Sequence, residues 1–264
     1  MTINGFSLKR YRRTVLPLGL LLLVTVLACL DCGVSISQLW EGMVKGFSFL
    51  AYMFPPDWSA FGEMLQPVLE SIVIAVLGTS FGTFLSLIFA VFAASNLTHP
   101  WIRQITRFLI GFERSIPEII ILLILVAAFG LGAMPAIIAL TLGCIGMLGK
   151  LLADTIEEID SVMLDSMTSV GANKLQVVFY GILPQILPNL VTYALFRLEI
   201  NIRLSVILGA VGAGGIGYEL EYAFNMLNYH RAMTAFLLIL LMVLGTEQVS
   251  NLVKKRIKGR EVLL

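Results

Sequence analysis

Residues 197–205, RLEINIRLS, place three ionisable side chains and an amide inside an otherwise apolar segment. A helix turns about 100° per residue, so Arg197 and Asn201 share one face. Glu199 and Arg203 share nearly the opposite face. Their spacing of four residues, with the acid first, predicts an intrahelical ion pair with a mainly structural role.

Arg197 has no acid on its own helix face. If this helix enters a bilayer near residue 186, its rise places Arg197 about 14 Å deep, close to the bilayer centre. A charge there costs at least about 2.5 kcal/mol, so it must face protein or a water-filled path. Its partner is either an acid from another span, such as Glu113 or Glu118, or an anion in transit. We therefore expect Arg197 and Asn201 to line a substrate path, or Arg197 to hold the helix bundle together through an interhelical ion pair.

Other motifs match the spacing of chemical sites without the surroundings that such sites need. Residues 212–217, GAGGIG, fit a dinucleotide-binding pattern but lie in no βαβ unit, which excludes that function. Four glycines in this stretch predict a tight loop where backbone passes close to backbone, as in an outer gate: Gly212, Gly214, Gly215 and Gly217. Cys29 and Cys32 form a lone C-x-x-C without a second pair or a nearby histidine, so we expect small apolar side chains and no metal site. The sequence has no Walker lysine motif and no nucleophile with a base, so no catalytic residue and no bound cofactor are predicted for this chain.

Composition identifies the elements that must position these residues. The chain of 264 residues is 58% hydrophobic and 13% charged, which predicts an integral membrane protein. A net charge of +1 and the lack of a basic block inside the chain argue against nucleic acid as a partner. Apolar stretches long enough to cross a bilayer predict six helices, at residues 14–30, 68–94, a segment ending near 129, 133–151, 186–208 and 232–251. The third of these is short of apolar residues, so we expect one helix that carries Glu113, Arg114 and Glu118 near its start.

The basic residues orient these spans. Lysines and arginines cluster before residue 14 and after residue 253, so both termini are predicted to lie in the cytoplasm. The predicted parts are a tail (1–13), a first span (14–30), an outer loop (31–67), a core of five helices (68–251) and a basic tail (252–264). The outer loop has apolar residues at helical spacing, which predicts an interfacial helix. Gly78, Gly82 and Ser86 form a ridge of small residues that favours close helix packing.

The cytoplasmic segment 152–185 is far longer than a turn. From Asp165 it resembles the loop of binding-protein-dependent ABC importer permeases, whose pattern is E-A-A, three residues, glycine, nine residues, then I-x-L-P. Asp165-Ser166-Met167 stands at the E-A-A position, Gly171 supplies the glycine, and Gly181 replaces the isoleucine. The segments FPPDW, GANKLQVVFYGILPQ, RLEINIR and VGAGGIG further resemble the phosphonate branch of these permeases over residues 50–220.

This resemblance implies an all-α, six-helix membrane protein with the type I ABC importer permease fold, in the bacterial inner membrane. It implies a homodimer that works with two cytoplasmic ATPase subunits, which bind ATP and Mg²⁺, and with an extracytoplasmic phosphonate-binding protein. The loop residues expected to couple to the ATPase are Asp165, Val170, Gly171, Ala172, Asn173, Lys174, Leu183 and Pro184. Arginine's planar fork suits phosphonate or phosphate oxygens, so Arg197 would lower the barrier for such an anion. Alkylphosphonates, phosphite and phosphate all fit this chemistry.

The alternative function is a self-contained secondary transporter or channel for small anions. Such carriers often contain internal repeats with broken helices in matching positions. The two halves of this sequence show no convincing repeat, and a carrier that works alone does not need the long cytoplasmic loop. A membrane enzyme is disfavoured because the sequence offers no catalytic set.

Overall fold

A computed structural model describes residues 8–33 and 35–261, which are helical and include no β-strand. The all-helical prediction is therefore confirmed for this part of the chain. The chain divides into two compact units, with the boundary between Phe54 and Pro55.

The first unit contains two helices, α1 (Leu8–Asp31) and α2 (Ile36–Met53). The side chain of Ser35 begins α2 by accepting a hydrogen bond of 3.2 Å from the backbone N–H of Gln38. The apolar residues that predict an interfacial helix form α2, and they are exposed along it, as at Trp40 and Phe47.

The second unit begins with the long helix α3 (Phe61–Ala93), followed by α4 (Pro100–Glu113), α5 (Glu118–Phe129) and α6 (Ala133–Glu157). Next come α7 (Ser161–Ser169), the single turn α8 (Lys174–Gln176), a π-helical turn (Val177–Ile182) and α9 (Leu183–Leu208). A second π-helical turn (Gly209–Ala213) leads into α10 (Gly215–Asn225) and α11 (Tyr229–Glu261).

Helix length and apolar character allow fewer crossings than the sequence predicts. Over the described residues, α3, α6 and α11 are each long and apolar enough to span a membrane. Counting the bent pairs α1–α2 and α9–α10 as one span each raises the number to five. The 12-residue helix α5 is too short to cross alone. The structure therefore supports a multi-pass membrane protein without establishing the predicted six spans.

The prediction of one continuous third helix is wrong. α4 ends at Glu113, and α5 begins at Glu118 after a short non-helical segment. Pro117 causes this break, because it lacks a backbone N–H and disfavours helical geometry at Ile116. The predicted break after α5 is present, with Gly130 at φ +85° and Gly132 at φ +135°.

α3 and α6 pack closely along the predicted ridge of small residues. A Cβ at Gly78 would lie 2.7 Å from the Leu140 Cβ, and a Cβ at Gly82 would overlap the Cys144 side chain. The Ser86 hydroxyl donates a hydrogen bond of 3.0 Å to the Cys144 carbonyl. Small residues thus bring the two backbones together within this chain.

Candidate functional site

Arg197 on α9 is buried and forms an ion pair with Glu118, the first residue of α5. The Arg197 Nη2 lies 3.2 Å from the Glu118 Oε1, and only 5% of the arginine side chain is exposed. Nη1 is 3.8 Å from the Met147 sulfur, while Nε is buried and, within the described residues, has no hydrogen-bond partner. Of the two predicted kinds of partner, the structure shows an acid from another helix.

The ion pair borders a cavity of about 260 Å³ at the break between α4 and α5. Two glycines of α6 make room for it. A Cβ at Gly143 would lie 2.5 Å from the Arg197 Nη2 and 3.0 Å from the Glu118 Cγ. A Cβ at Gly146 would overlap the Glu113 carboxylate, whose Oε2 is buried and lacks a hydrogen-bond partner among the described residues. The wall therefore combines two arginines with two carboxylates, and its shape depends on α6 having no side chain at these positions. The residues lining this cavity are Glu113, Arg114, Ser115, Ile116, Pro117, Glu118, Gly143, Met147 and Arg197.

Asn201 lies one turn after Arg197 but has a different environment. Its side-chain amide donates to the Thr79 hydroxyl at 2.9 Å and to the Cys144 sulfur at 3.3 Å. It is fully buried where α3, α6 and α9 meet, and it does not line the Arg197 cavity. The structure thus separates the two residues that the sequence places together in a path, because the contact with α3 takes up the Asn201 side chain.

The predicted Glu199–Arg203 pair is replaced by pairs with α11. The Lys254 Nζ lies 2.6 Å from the Glu199 Oε1, to which the Ser250 hydroxyl also donates. Arg203 Nη2 lies 3.9 Å from Glu247 Oε2. The intrahelical prediction fails because α11 packs along α9 and offers opposite charges, which the α9 sequence alone does not reveal.

The loop between α6 and α9 turns sharply at Gly171. This residue has φ +89°, a conformation that favours glycine, and a Cβ there would meet no atom within 4 Å. Asn173 and Gln176 then form a reciprocal cap on α8: the Gln176 N–H donates to Asn173 Oδ1 at 2.9 Å, and the Asn173 N–H donates to Gln176 Oε1 at 2.8 Å. Lys174 reaches the Leu97 carbonyl at 3.4 Å.

Apolar side chains of this loop remain exposed. Leu175 and Phe179, four residues apart, are 69% and 60% exposed, and Val170 and Tyr180 are exposed beside them. Asp165 and Pro184 are exposed as well, whereas Ala172 and Leu183 are half-buried. An exposed apolar face on a short, well-capped helical hairpin is suited to contact another protein.

Sequence reasoning missed the contacts that hold the α3–α4 turn against the end of α6. Arg107 Nη2 donates to Glu157 Oε1 at 2.7 Å, and the Ser95 N–H donates to the same oxygen. The amide of Asn96 donates to the Ile156 carbonyl at 2.9 Å. The sequence offers one signal for these contacts, namely a basic loop and an acidic helix end. This signal does not say which residues pair with each other.

The glycine-rich stretch 212–217 brings backbone close to backbone. A Cβ at Gly217 would overlap the Val206 carbonyl, and the Gly132 N–H donates to the Gly212 carbonyl at 3.0 Å. Its contacts with α3 were also missed: the Gly215 N–H donates to Glu70 Oε2 at 3.0 Å, and the Ile216 N–H donates to the Ser71 hydroxyl at 3.0 Å. Glu70 is exposed and at the same time accepts this hydrogen bond from the glycine-rich stretch.

A further ion network joins three helices near the start of α11. The two terminal nitrogens of Arg231 lie 3.1 Å from Glu63 Oε2 on α3 and 3.1 Å from Glu219 Oε2 on α10. Over the residues that the structure describes, no group of three or more His, Cys, Asp or Glu side chains is arranged to hold a metal ion.

Comparison with known proteins places this architecture in a family. The family model described as binding-protein-dependent transport system inner membrane component matches residues 82–259. The phosphite transport system permease protein PtxC of Stutzerimonas stutzeri is 33% identical over 97% of this chain and 94% of that protein. The phosphate-import permease protein PhnE of Mycolicibacterium smegmatis is 34% identical over 83% of this chain and 41% of that protein.

The fold is also similar to that of a solved ABC transporter. An inward-facing structure of the MetNI methionine ABC transporter aligns with a TM-score of 0.67 at 22% identity, over 76% of this chain and 99% of that one. Proteins of this family are the transmembrane subunits of ABC importers, and a separate subunit hydrolyses ATP. The chain belongs to the binding-protein-dependent transport system inner membrane components, and it is the permease subunit of an ABC importer.

Proposed function

We propose that this permease carries phosphorus oxyanions, namely phosphonates, phosphite or phosphate. The observation that carries this proposal is the buried Arg197 beside a cavity, with one N–H still free of a hydrogen-bond partner within the described residues. A guanidinium has the planar donor geometry that suits such anions. The similarity to a phosphite permease over nearly the whole chain supports the same substrate class.

In this proposal Glu118 neutralises Arg197 between passages. An arriving oxyanion displaces the Glu118 carboxylate from Arg197. The carboxylate then competes with the oxyanion for the guanidinium and so promotes its release. Weak binding is what a path requires, because release matters as much as entry. Asn201 would steady α9 through Thr79 and would not contact the anion.

The proposed assembly contains two copies of this chain, two cytoplasmic ATPase subunits and an extracytoplasmic phosphonate-binding protein, in the bacterial inner membrane. Both termini would face the cytoplasm after six crossings. ATP and Mg²⁺ would bind to the ATPase, which would grip the exposed apolar face at Leu175 and Phe179. Gly212, Gly214, Gly215 and Gly217 would form the outer gate, held to α3 by Glu70. Family membership excludes the self-contained secondary transporter considered from the sequence, since energy comes from a partner ATPase.

The test is uptake of labelled methylphosphonate into vesicles that contain this chain with its ATPase and binding protein, with and without ATP. We expect ATP-dependent uptake of methylphosphonate. If this uptake persists in excess phosphate, the cargo is a phosphonate, and if phosphite or phosphate competes it away, that anion is the cargo. The absence of ATP-dependent uptake of methylphosphonate, and of labelled phosphite and labelled phosphate in the same vesicles, would refute the proposed substrate class. Arg197→Gln should lower uptake at least about tenfold, the effect of losing about 1.4 kcal/mol. Arg203→Gln, on the same helix, is the matched control, and equal effects of the two changes would refute the role of Arg197.

A further inference from the structure

Three cavities adjoin one another along the groove between α4 and α6. The Arg197 cavity shares Arg114 with a second cavity of about 230 Å³. That second cavity shares Arg107 with a third, which lies between Arg103 and Glu157 at the start of α4 and the end of α6. The three cavities therefore follow one another from the buried Arg197 to the helix ends.

Basic side chains follow this series. Arg103 and Arg107 lie on α4, and Arg114 directly follows its last residue with a helical conformation. The three lie within about 40° of one another around the helix axis, because four and eleven residues are close to whole numbers of turns. Lys150 on α6 also lines the second cavity. The wall of this cavity thus presents three cations, Arg107, Arg114 and Lys150, and one acid, Asp154.

Two of these cations lack the carboxylate partner that three other basic residues of the helix core have. Arg197, Arg231 and Lys254 each form an ion pair with a carboxylate. Within the described part of the chain, Arg114 and Lys150 form neither an ion pair nor a side-chain hydrogen bond. Arg107 donates to Glu157 and to the Ala93 carbonyl. Asp154 lies four residues after Lys150 on α6, yet the two do not pair.

Arg107, Arg114 and Lys150 are exposed along the groove, where their positive charges attract an anion, and their donors suit a tetrahedral oxyanion. The cavity holds about 230 Å³, and one water occupies about 30 Å³ in the liquid, so an oxyanion fits together with several waters. Gly111 contributes to the wall without a side chain. The apolar part of the wall comes from Ala93, Ile110 and Ala153.

We propose that Arg114, Lys150 and Arg107 form a second phosphorus-oxyanion site, through which the imported anion passes from Arg197 to the cytoplasm. This inference rests on the proposed function for its cargo and its orientation. The site follows the Glu118–Arg197 pair in the transport direction. It differs from that pair because Arg114 and Lys150 form no ion pair within the described residues, although Asp154 lines the same wall. The phosphate group of an anionic lipid offers the same chemistry, and the experiment separates the two sources.

The experiment measures the dissociation constant of labelled phosphite for the complete importer in nanodiscs, without nucleotide or binding protein. The variants are Arg114→Gln and Lys150→Gln, each also combined with Arg197→Gln, which removes the first oxyanion site. Lys255→Gln is the matched control, because it removes one exposed positive charge outside the groove. Lys150→Arg keeps the charge and should keep the binding, which separates loss of the site from loss of folding. Nanodiscs of phosphatidylcholine alone are compared with nanodiscs that contain phosphatidylglycerol.

We expect Arg114→Gln and Lys150→Gln each to raise the dissociation constant at least about tenfold in both backgrounds, with Lys255→Gln unchanged. Phosphite should still bind in the presence of phosphatidylglycerol. If Arg197→Gln abolishes all binding while the other two variants bind as wild type does, the second site is refuted and the proposed function stands. If phosphatidylglycerol abolishes phosphite binding, the groove holds a lipid headgroup and the transit role is refuted. Failure of ATP-driven uptake by the wild type would refute the proposed function and the transit role, whereas phosphite binding in the groove is measured separately and would still show the site.

Discussion

Replacing Gly143 by alanine should separate Arg197 from Glu118. The added Cβ would lie 2.5 Å from the Arg197 Nη2, closer than such atoms approach, so the guanidinium must move. The present distance between the paired atoms is 3.2 Å, and a shift of the arginine breaks that hydrogen bond. Gly143→Ala thus tests whether the pair lies against α6.

The magnitude follows from two opposing effects. Losing a hydrogen bond between charged groups costs about 1.5–3 kcal/mol. Alanine in a helix interior gains about 1 kcal/mol over glycine, so the net loss is about 0.5–2 kcal/mol. Gly149→Ala on the same helix is the control, because its Cβ would meet Ile110 at an ordinary contact distance of 3.4 Å. Both variants gain the same helix stability from alanine, so Gly149→Ala should be more stable than Gly143→Ala by about 1.5–3 kcal/mol.

The assay compares thermal aggregation midpoints of the purified complex in one detergent, together with ATP-driven uptake. Gly143→Ala should lower the midpoint and the uptake rate, whereas Gly149→Ala should match or exceed the wild type in both. Equal midpoints and equal uptake for the two variants would refute the described packing of the ion pair against α6.

Two further changes test the coupling loop and the α9–α11 contact. Gly171→Ala should destabilise the loop by about 1–2 kcal/mol, because φ is +89° and an added Cβ would gain no contact with a neighbouring atom. Limited proteolysis should therefore cut the loop about tenfold faster in this variant than in the control Gly245→Ala. Equal cleavage rates would contradict the strained turn. Lys254→Met should destabilise the complex by about 3 kcal/mol, because the Glu199 side chain, which is only 12% exposed, loses its cationic partner. The midpoint of thermal aggregation measures this loss, and Lys255→Met is the control at an exposed position. Identical midpoints for the two variants would contradict the Glu199–Lys254 ion pair.

The sequence predicted those features of the fold that local rules determine. Helical character follows from long apolar stretches, the break at Gly130 and Gly132 follows from their backbone freedom, and the turn at Gly171 follows from the same rule. The close contact of α3 with α6 follows from the spacing of Gly78 and Gly82. The break before Glu118 was missed because the need for a long apolar span outweighed the local effect of Pro117.

The candidate site was predicted only in part, because partners come from distant elements. The sequence identified Arg197 as a buried charge and named Glu118 among its possible partners, 79 residues away. The side-chain faces of α9 alone could not show that α11 supplies Lys254 to Glu199, or that Thr79 engages Asn201. A helical wheel gives the directions of side chains but does not say which helix lies on each side.

The glycine-lined contact between α3 and α6 has a mechanical consequence. The backbones of α3 and α6 are in close contact at Gly78 and Gly82, and the Ser86–Cys144 hydrogen bond joins them. The two helices cannot slide past each other without breaking this hydrogen bond, so they tilt together as one rigid body. α3 has 33 residues and is therefore about 50 Å long. A tilt of about 10° about one end moves the other end by about 9 Å. A small tilt about the Glu157 end of α6 would therefore produce its largest displacement at the opposite end of α3, where Glu70 accepts a hydrogen bond from Gly215.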